Sequence, residues 1–216
     1  MKTILKSLTC FLILCFALPA FAGSIKEYSA DMVDVKSGKV AQKLAVTPDK
    51  IYSESFNAQG KREAMSIIRM DKKKMYVVME ENKSYMELPF NKDEFSAADF
   101  SIGAVQTKQE KVGTETVGGY KADKFKVTTT AMGRTITSFQ WIAPEFAPMP
   151  IRTESDGAIL EMQNIKTACP DASLFELPKG YTRDTQMEQM MNSMMGGGSN
   201  PMEDMMKMMM QQQGGK

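Results

Sequence analysis

Histidine is absent from the 216-residue sequence. It is the side chain that titrates nearest neutral pH, and it is the commonest general base and a frequent zinc ligand in proteins. Its absence excludes a Ser-His-Asp or Cys-His catalytic site. Aspartate and glutamate are scattered singly, without the pairing of a glycosidase or a metal site. We therefore expect a protein that is not an enzyme and that carries no cofactor.

Cysteine is nearly as scarce, with three in the chain. Cys10 and Cys15 lie in an apolar N-terminal segment, and Cys169 stands alone in the remainder. A lone cysteine allows no internal disulfide, so Cys169 is predicted to be a free thiol that can link two copies of the chain in an oxidising compartment. Lys166 is the cation near it in sequence, and nothing marks the thiol as an activated nucleophile.

Long apolar runs are missing except near the N-terminus, where Leu8–Leu18 is almost wholly apolar. Lys2 and Lys6 flank it on one side and Ala20-Phe21-Ala22 on the other, which gives the three parts of a secretory signal. The first 22 residues are therefore predicted to be a cleaved signal peptide that directs the protein to the periplasm. The run has about half of the roughly 20 residues that span a bilayer, so no stable membrane span is expected after cleavage.

Neither sign of charge dominates. Lysine and arginine number 27 against 26 acidic residues, and removal of Lys2 and Lys6 leaves 25 against 26. This balance argues against a nucleic-acid partner. The remaining length suits one hydrophobic core, and we predict a domain over 23–181 followed by a tail over 182–216.

Helical periodicity of normal length is also missing from the predicted domain. Short runs with alternating apolar and polar residues, separated by polar turns, instead predict an antiparallel sheet. The predicted strands are Tyr28–Val35, Val40–Thr47, Lys50–Phe56, Ala64–Met70, Lys74–Met79, Ser84–Leu88, Tyr120–Thr130, Thr135–Ala143, Pro150–Ser155 and Ile159–Thr167. Asn91–Phe100 is predicted to be a short helix or a compact loop. A large sheet with few helices must curl, close or bind something to bury one face.

Methionine is abundant in the tail, and three interpretations remain open. Thioether sulfurs at helical spacing favour a soft metal such as Cu(I) or Ag(I). Flexible apolar side chains equally favour a lid over the sheet. The third interpretation is an extension without a fixed role. The metal candidates are Met187, Met190, Met191, Met194, Met202, Met205, Met206 and Met209. Thr182–Met195 has helical spacing, and a second short helix is predicted after Pro201.

Several segments resemble LolA-like proteins, which are periplasmic lipoprotein carriers and their relatives. The first three, which resemble the central hairpins of that superfamily, are Ile67-Ile68-Arg69-Met70-Asp71, Met75-Tyr76-Val77-Val78 and Lys83-Ser84-Tyr85-Met86-Glu87-Leu88-Pro89. Three more resemble an uncharacterised bacterial family of the same superfamily: Val117-Gly118-Gly119-Tyr120-Lys121, Trp141-Ile142-Ala143-Pro144 and Leu174-Phe175-Glu176-Leu177-Pro178-Lys179-Gly180-Tyr181. The resemblance covers roughly 24–181.

The resemblance implies a mainly β protein with an unclosed antiparallel half-barrel, whose concave apolar face holds acyl chains beneath a helical lid. The implied partner is a lipid or the acyl chain of a lipoprotein, and no catalytic residue carries over. The sequence lacks an evident N-terminal lid helix. The candidate cavity or lid residues are Ile68, Met70, Tyr76, Val78, Tyr85, Phe125 and Trp141. Trp141 is expected to pack in the core or line the cavity, and Arg69 and Arg152 to form salt bridges or lie on a solvated strand face.

Overall fold

The structure is a computed structural model that describes residues 25–91, 99–102, 105–131 and 134–189. The predicted signal peptide and the part of the methionine-rich tail after Gln189 lie outside the described residues. Within the described ranges, no helix has the length and hydropathy of a membrane span.

One sheet contains the thirteen strands of the described residues. They are β1 (Tyr28–Asp34), β2 (Val40–Thr47), β3 (Lys50–Phe56), β4 (Arg62–Arg69), β5 (Lys74–Met79), β6 (Ser84–Pro89), β7 (Asp99–Ile102), β8 (Val105–Val117), β9 (Tyr120–Ala131), β10 (Arg134–Ile142), β11 (Arg152–Ser155), β12 (Ala158–Lys166) and β13 (Thr182–Arg183). Two 3₁₀ turns, Met70–Lys72 and Ala172–Phe175, and one helical turn over 185–189 accompany them.

The sheet consists of two antiparallel meanders. Strands β1 to β6 pair in sequence order, β7 to β12 do the same, and β1 pairs with β12 to join the two halves. Strand β13 adds to the outside of β6 in parallel. Strands β13 and β7 are the two edges and do not pair with each other, so the sheet is unclosed. The predicted fold class, a large antiparallel sheet curled into an unclosed half-barrel, is confirmed.

All ten predicted strands are present, with ends that move by no more than two residues. The prediction missed β7, β8 and β13. Asp99 and Phe100 belong to β7, so the helix or loop predicted over Asn91–Phe100 is wrong at that end, while 92–98 lie outside the described residues. Thr182 and Arg183 form a strand rather than the start of a helix, because their backbone completes the edge of β6.

The two faces of the sheet differ in burial. We call inner face the side that carries Tyr28, Leu44, Ile51, Ile68, Val77 and Met86 on β1 to β6, and Gln109, Val127 and Gln140 on β8 to β10. All nine are at most 9% exposed. Their cross-strand pairing, such as Ile51 with Ile68 and Val77 with Met86, places them on one side. The other side of β8 and β9, the outer face, carries exposed charges at Lys108, Glu110 and Lys126. The sheet curls towards the inner face.

The loop over 143–151 closes one end of the curled sheet. The Tyr28 hydroxyl donates to the Phe146 carbonyl oxygen at 2.7 Å inside this loop. The Phe146 ring lies 5.4 Å from the Tyr28 ring on β1 and 4.8 Å from the Tyr120 ring on β9. Four strand spacings separate β1 from β9, or about 19 Å in a flat sheet. The Phe146 ring therefore joins β1 to β9 at this end of the sheet, which we call the loop end.

A C-terminal segment, which we call the strap and define as 172–181, packs on the outer face of β2 to β6. Phe175 is 3% exposed and lies in a cluster with Tyr52, Ile67 and Val78. Leu174, Leu177 and Tyr181 pack partly against the same cluster. The strap therefore gives these strands a second buried face.

Arg69 fixes the start of the strap. Its side chain is 8% exposed and pairs with both carboxylate oxygens of Asp71, at 2.9 and 2.7 Å. It also donates to Glu176 Oε1 at 2.7 Å and to the Phe175 carbonyl at 3.3 Å. Hydrogen bonds from Arg69 lower the pKa of Asp71 below its ordinary value. Arg152 likewise pairs with Glu161 at 3.2 Å, so both arginines form the salt bridges considered from the sequence.

Cys169 is an exposed free thiol ahead of the strap. Its hydrogen bond with Glu27 raises the pKa of the thiol, which lowers the thiolate fraction at neutral pH. Disulfide exchange needs the thiolate, so the raised pKa slows pairing of two copies. The disulfide dimer stays a prediction.

Glu80 holds the far end of the strap and makes its attachment sensitive to acid. Hydrogen bonds from Lys83, Tyr181 and Arg62 lower the pKa of Glu80 from 4.5 to about 2. The stability from these bonds is present above the ordinary pKa and is lost as the pH falls from about 4.5 towards 2.

We predict that Glu80→Gln lowers the free energy of unfolding by about 1–2 kcal/mol at pH 6, since solvent screens the pairs. The deficit should shrink as the pH falls to 2, because wild-type Glu80 then becomes protonated as well. Urea unfolding at several pH values measures it, with the exposed neighbour change Glu81→Gln as the control. A deficit that is independent of pH would show that the Glu80 charge does not hold the strap.

Candidate functional site: the inner face of the sheet

The inner face is apolar near the loop end. Tyr28, Leu44, Val46, Ile51 and Ile68 are buried there in one hydrophobic cluster. Leu160 and Met162 on β12 pack against this cluster and stay partly exposed. The arrangement follows from the sequence, since alternate residues of each strand carry the large aliphatic side chains. It provides an apolar floor across β12, β1 and β2 to β4.

Further from the loop end, the inner face carries uncharged polar side chains. Gln42 and Ser53 are 4% and 5% exposed, and Ser53 shares a 2.9 Å hydrogen bond with Ser66 across the β3–β4 pair. On β8 and β9, Thr107 and Thr129 make a similar contact at 3.4 Å. Amides and hydroxyls can be buried when they are paired in this way. The inner face therefore grades from apolar at the loop end to neutral and polar beyond it.

Charges on this face of β8 and β9 neutralise each other. Lys111 Nζ lies 2.6 Å from Asp123 Oδ2, and Thr114 donates to the same carboxylate at 2.8 Å. The bond from Lys111 lowers the pKa of Asp123. Both side chains are about half exposed, at 52% and 40%. The pair therefore lies at the margin of the face, where the exposed Lys121 lies on the same side of β9 as Asp123.

The chain beyond the strap passes over the β6 edge and reaches the inner face. Thr182 N–H donates to the Lys83 carbonyl at 2.9 Å, and Asp184 N–H to the Tyr85 carbonyl at 2.8 Å. Glu188 Oε1 then accepts from the Glu87 N–H at 2.6 Å and from Arg183 at 2.9 Å. A carboxylate side chain thus satisfies an edge N–H that no neighbouring strand reaches.

Met187 is placed on the inner face by this crossing. It packs against Val77, Met86 and Leu88, all of which point inward from β5 and β6. Glu188, one residue on, is 6% exposed at the edge. Burial alone would raise the pKa of Glu188, but the hydrogen bonds from Arg183 and the Glu87 N–H lower this pKa below its ordinary value. The ion pair and the methionine together fix the first helical turn of the tail at the rim of the inner face.

Three of the seven sequence-predicted cavity residues lie on or beside the inner face. Ile68 is buried in its apolar cluster, and Met70, in the turn after β4, packs against that cluster. Phe125 faces inward on β9, opposite Gln140. Tyr76, Val78 and Tyr85 instead lie on the outer face beneath the strap.

Trp141 also lies on the outer side of β10, at the loop end. It is 2% exposed, and its indole N–H donates to Glu115 at 2.8 Å. Lys124 Nζ lies 4.6 Å from the ring centroid and the Arg152 guanidinium 5.1 Å. These cations cover the ring in a cation–π arrangement. Trp141 therefore packs in the same buried cluster as Tyr28, Ile68 and Phe146, although strand pairing places it on the opposite side of β10 from Gln140.

Residues that the sequence reasoning did not select carry much of the inner face, including Leu44, Val77 and Met86. On β5 the odd positions Met75, Val77 and Met79 and the even positions Tyr76 and Val78 are all apolar. Alternation alone cannot tell which set faces inward. The cross-strand register with β4 and β6 shows that Met75, Val77 and Met79 are the inward set.

Of the eight methionines considered as metal ligands, only Met187 is among the described residues, and it contacts aliphatic side chains. The other seven lie outside them. In the described ranges, no group of three or more cysteine, aspartate and glutamate side chains could hold a metal ion. Metal binding by the tail stays a prediction.

A groove of about 720 Å³ runs beside the strap on the outer face. Its lining includes Asp31, Lys43, Glu54 and Lys166, together with Leu174 of the strap. The Asn164 amide donates to Asp31 at 2.8 Å within it. Charges of both signs make this groove a poorer match for an acyl chain than the inner face.

The fold is a large unclosed antiparallel sheet whose inner face is apolar at the loop end. The chain belongs to the family described as domain of unknown function DUF4412, whose profile matches residues 31–149. The uncharacterised family expected from the sequence motifs is thereby identified.

The solved structures to which this chain is similar share little sequence with it. An uncharacterised conserved protein from Thermus thermophilus is 13% identical, with a TM-score of 0.43, over 74% of this chain and 90% of that one. A putative lipoprotein from Parabacteroides distasonis is 12% identical, with a TM-score of 0.33, over 70% and 98%. The lipoprotein LppX from Mycobacterium tuberculosis is 13% identical, with a TM-score of 0.32, over 68% and 90%. No curated protein matches significantly.

We predict that Met187→Ala uncovers Val77, Met86 and Leu88 at the rim. Losing this contact weakens the packing of the helical turn on the inner face by up to about 2 kcal/mol. Binding of a neutral hydrophobic dye should rise, and trypsin should cut faster after Arg183. Gln186→Ala, at an exposed position of the same turn, serves as the control. Equal dye binding and cleavage in wild type and both variants would mean that the turn does not cover the inner face.

Proposed function

We propose that this protein binds a lipid or another apolar ligand against the inner face of its sheet, without catalysing a reaction. The observation that carries the proposal is an inner face that is buried along the width of one unclosed sheet and is apolar at the loop end. A concave apolar surface is typical of a site that binds an apolar ligand.

The energetics favour a long apolar ligand. Each methylene that leaves water contributes roughly 0.8 kcal/mol, so an acyl chain gains affinity along its length. Leu160 and Met162 are partly exposed on the apolar floor, where a chain could cover them. Met187 stands at the rim, and a flexible thioether side chain adapts to variable ligands.

The place of action proposed is the periplasm, reached through the predicted signal peptide. The physiological role proposed is lipid or lipoprotein trafficking at the cell envelope. The resemblance of the sequence segments to lipoprotein carriers supports both, and so does the half-barrel, which leaves one side of the sheet unclosed for entry.

A pair of neighbouring residues on β12 tests the binding face. Leu160 points inward and Ile159 outward, and both are partly exposed. We predict that Leu160→Trp fills the floor and lowers the affinity for a fluorescent fatty acid by at least about tenfold, which corresponds to about 1.4 kcal/mol. Ile159→Trp, the same change on the other face, should leave the affinity unchanged.

Lipid extraction of the protein purified from a bacterial periplasm, followed by mass spectrometry, complements this titration. Wild-type protein that carries no lipid and retains no fluorescent fatty acid would contradict the proposed function. Equal loss of affinity in both tryptophan variants would move the binding site away from the inner face.

A further inference from the structure

A polar patch interrupts the inner face on β10 and β11. Gln140 pairs across the strands with Thr153, and Ser138 pairs with Ser155. These four side chains, which we call the amide–hydroxyl patch, face inward by strand alternation. Phe125 and Val127 on β9 lie on one side of them and Leu160 on β12 on the other. The patch is therefore a set of neutral hydrogen-bonding groups set between apolar neighbours.

Among the described residues, two atoms of this patch are buried without a hydrogen-bond partner. They are Gln140 Oε1 and Ser155 Oγ, and Gln140 as a whole is 5% exposed. Diagonal neighbours on adjacent strands lie roughly 7–8 Å apart, so one small polar group could approach both. An unpaired buried amide destabilises a fold, and Leu would fit the same position at no such cost. The unpaired groups therefore need a partner that the described residues do not supply.

The chemistry of the two atoms specifies that partner. An amide oxygen only accepts hydrogen bonds, so it needs a hydroxyl or an amide N–H, whereas the serine hydroxyl can donate or accept. A fatty carboxylate at neutral pH has no proton to donate. Lys111 on this face of β8 is paired with Asp123, and Lys121 lies four residues along β9 from Phe125, the residue opposite Gln140. The geometry thus points to a neutral lipid that bears a hydroxyl group, such as a monoacylglycerol, as the preferred ligand, an inference that rests on the proposed function.

Ligands that share one acyl chain test this preference. Monolauroylglycerol, lauric acid and methyl laurate would each compete with the neutral fluorescent probe N-phenyl-1-naphthylamine bound to the full-length protein. Wild type should bind monolauroylglycerol about tenfold more tightly than the other two, which is the effect of one buried hydrogen bond. Gln140→Leu should remove that preference, keep the affinity for methyl laurate and raise the midpoint of unfolding. The matched control is Thr137→Val, at an exposed outer position of β10.

The outcomes separate this inference from the proposed function. If the probe and all three ligands fail to bind, the proposed function itself fails. If all three bind equally, or if Gln140→Leu keeps the preference, lipid binding stands and the role of the amide–hydroxyl patch is overturned. A tighter complex with lauric acid would overturn it as well, because the ligand would then be recognised by its charge.

Discussion

The need of a single large sheet to bury one of its faces governs this structure. Helices that cover a sheet in other folds are nearly absent from the described residues, so burial comes from curvature and from irregular segments. The loop over 143–151 fills the loop end through Phe146, which touches both halves of the sheet. The strap covers the outer face of the first half through Phe175. What remains is a concave face with an apolar floor and a polar margin.

The β6 edge links this architecture to the tail. An exposed edge strand is a hazard because its free backbone groups can pair with another chain. Strand β13 and the Glu188 carboxylate satisfy that edge, and Arg183 holds the carboxylate in place. The same residues carry Met187 from the outer side to the inner face. Protection of the edge and coverage of the rim of the inner face therefore depend on one short segment.

The sequence predicted the strands with strong alternation, and β2, β3 and β5 have the predicted bounds. Strand β8 was missed because its 13 residues are mostly Lys, Gln, Glu and Thr, which give no apolar period. The inner face was harder to predict. Strand β5 has apolar side chains on both sides, because the strap buries its outer side as well, so alternation does not show which side faces inward. Contacts such as Arg69 with Glu176, more than 100 residues apart, leave no local signal. The unpaired Gln140 becomes informative only when its burial is known.

The most direct measurement of the central claim is photoaffinity labelling with a lipid that carries a diazirine in its acyl chain. Mass spectrometry then maps the labelled residues. Binding on the inner face predicts label on inward positions of β9 and β12, such as Phe125 and Leu160, and none on the neighbouring outward positions Lys124 and Ile159. Label concentrated around Leu174, in the groove beside the strap, would contradict the account and place the ligand on the outer face.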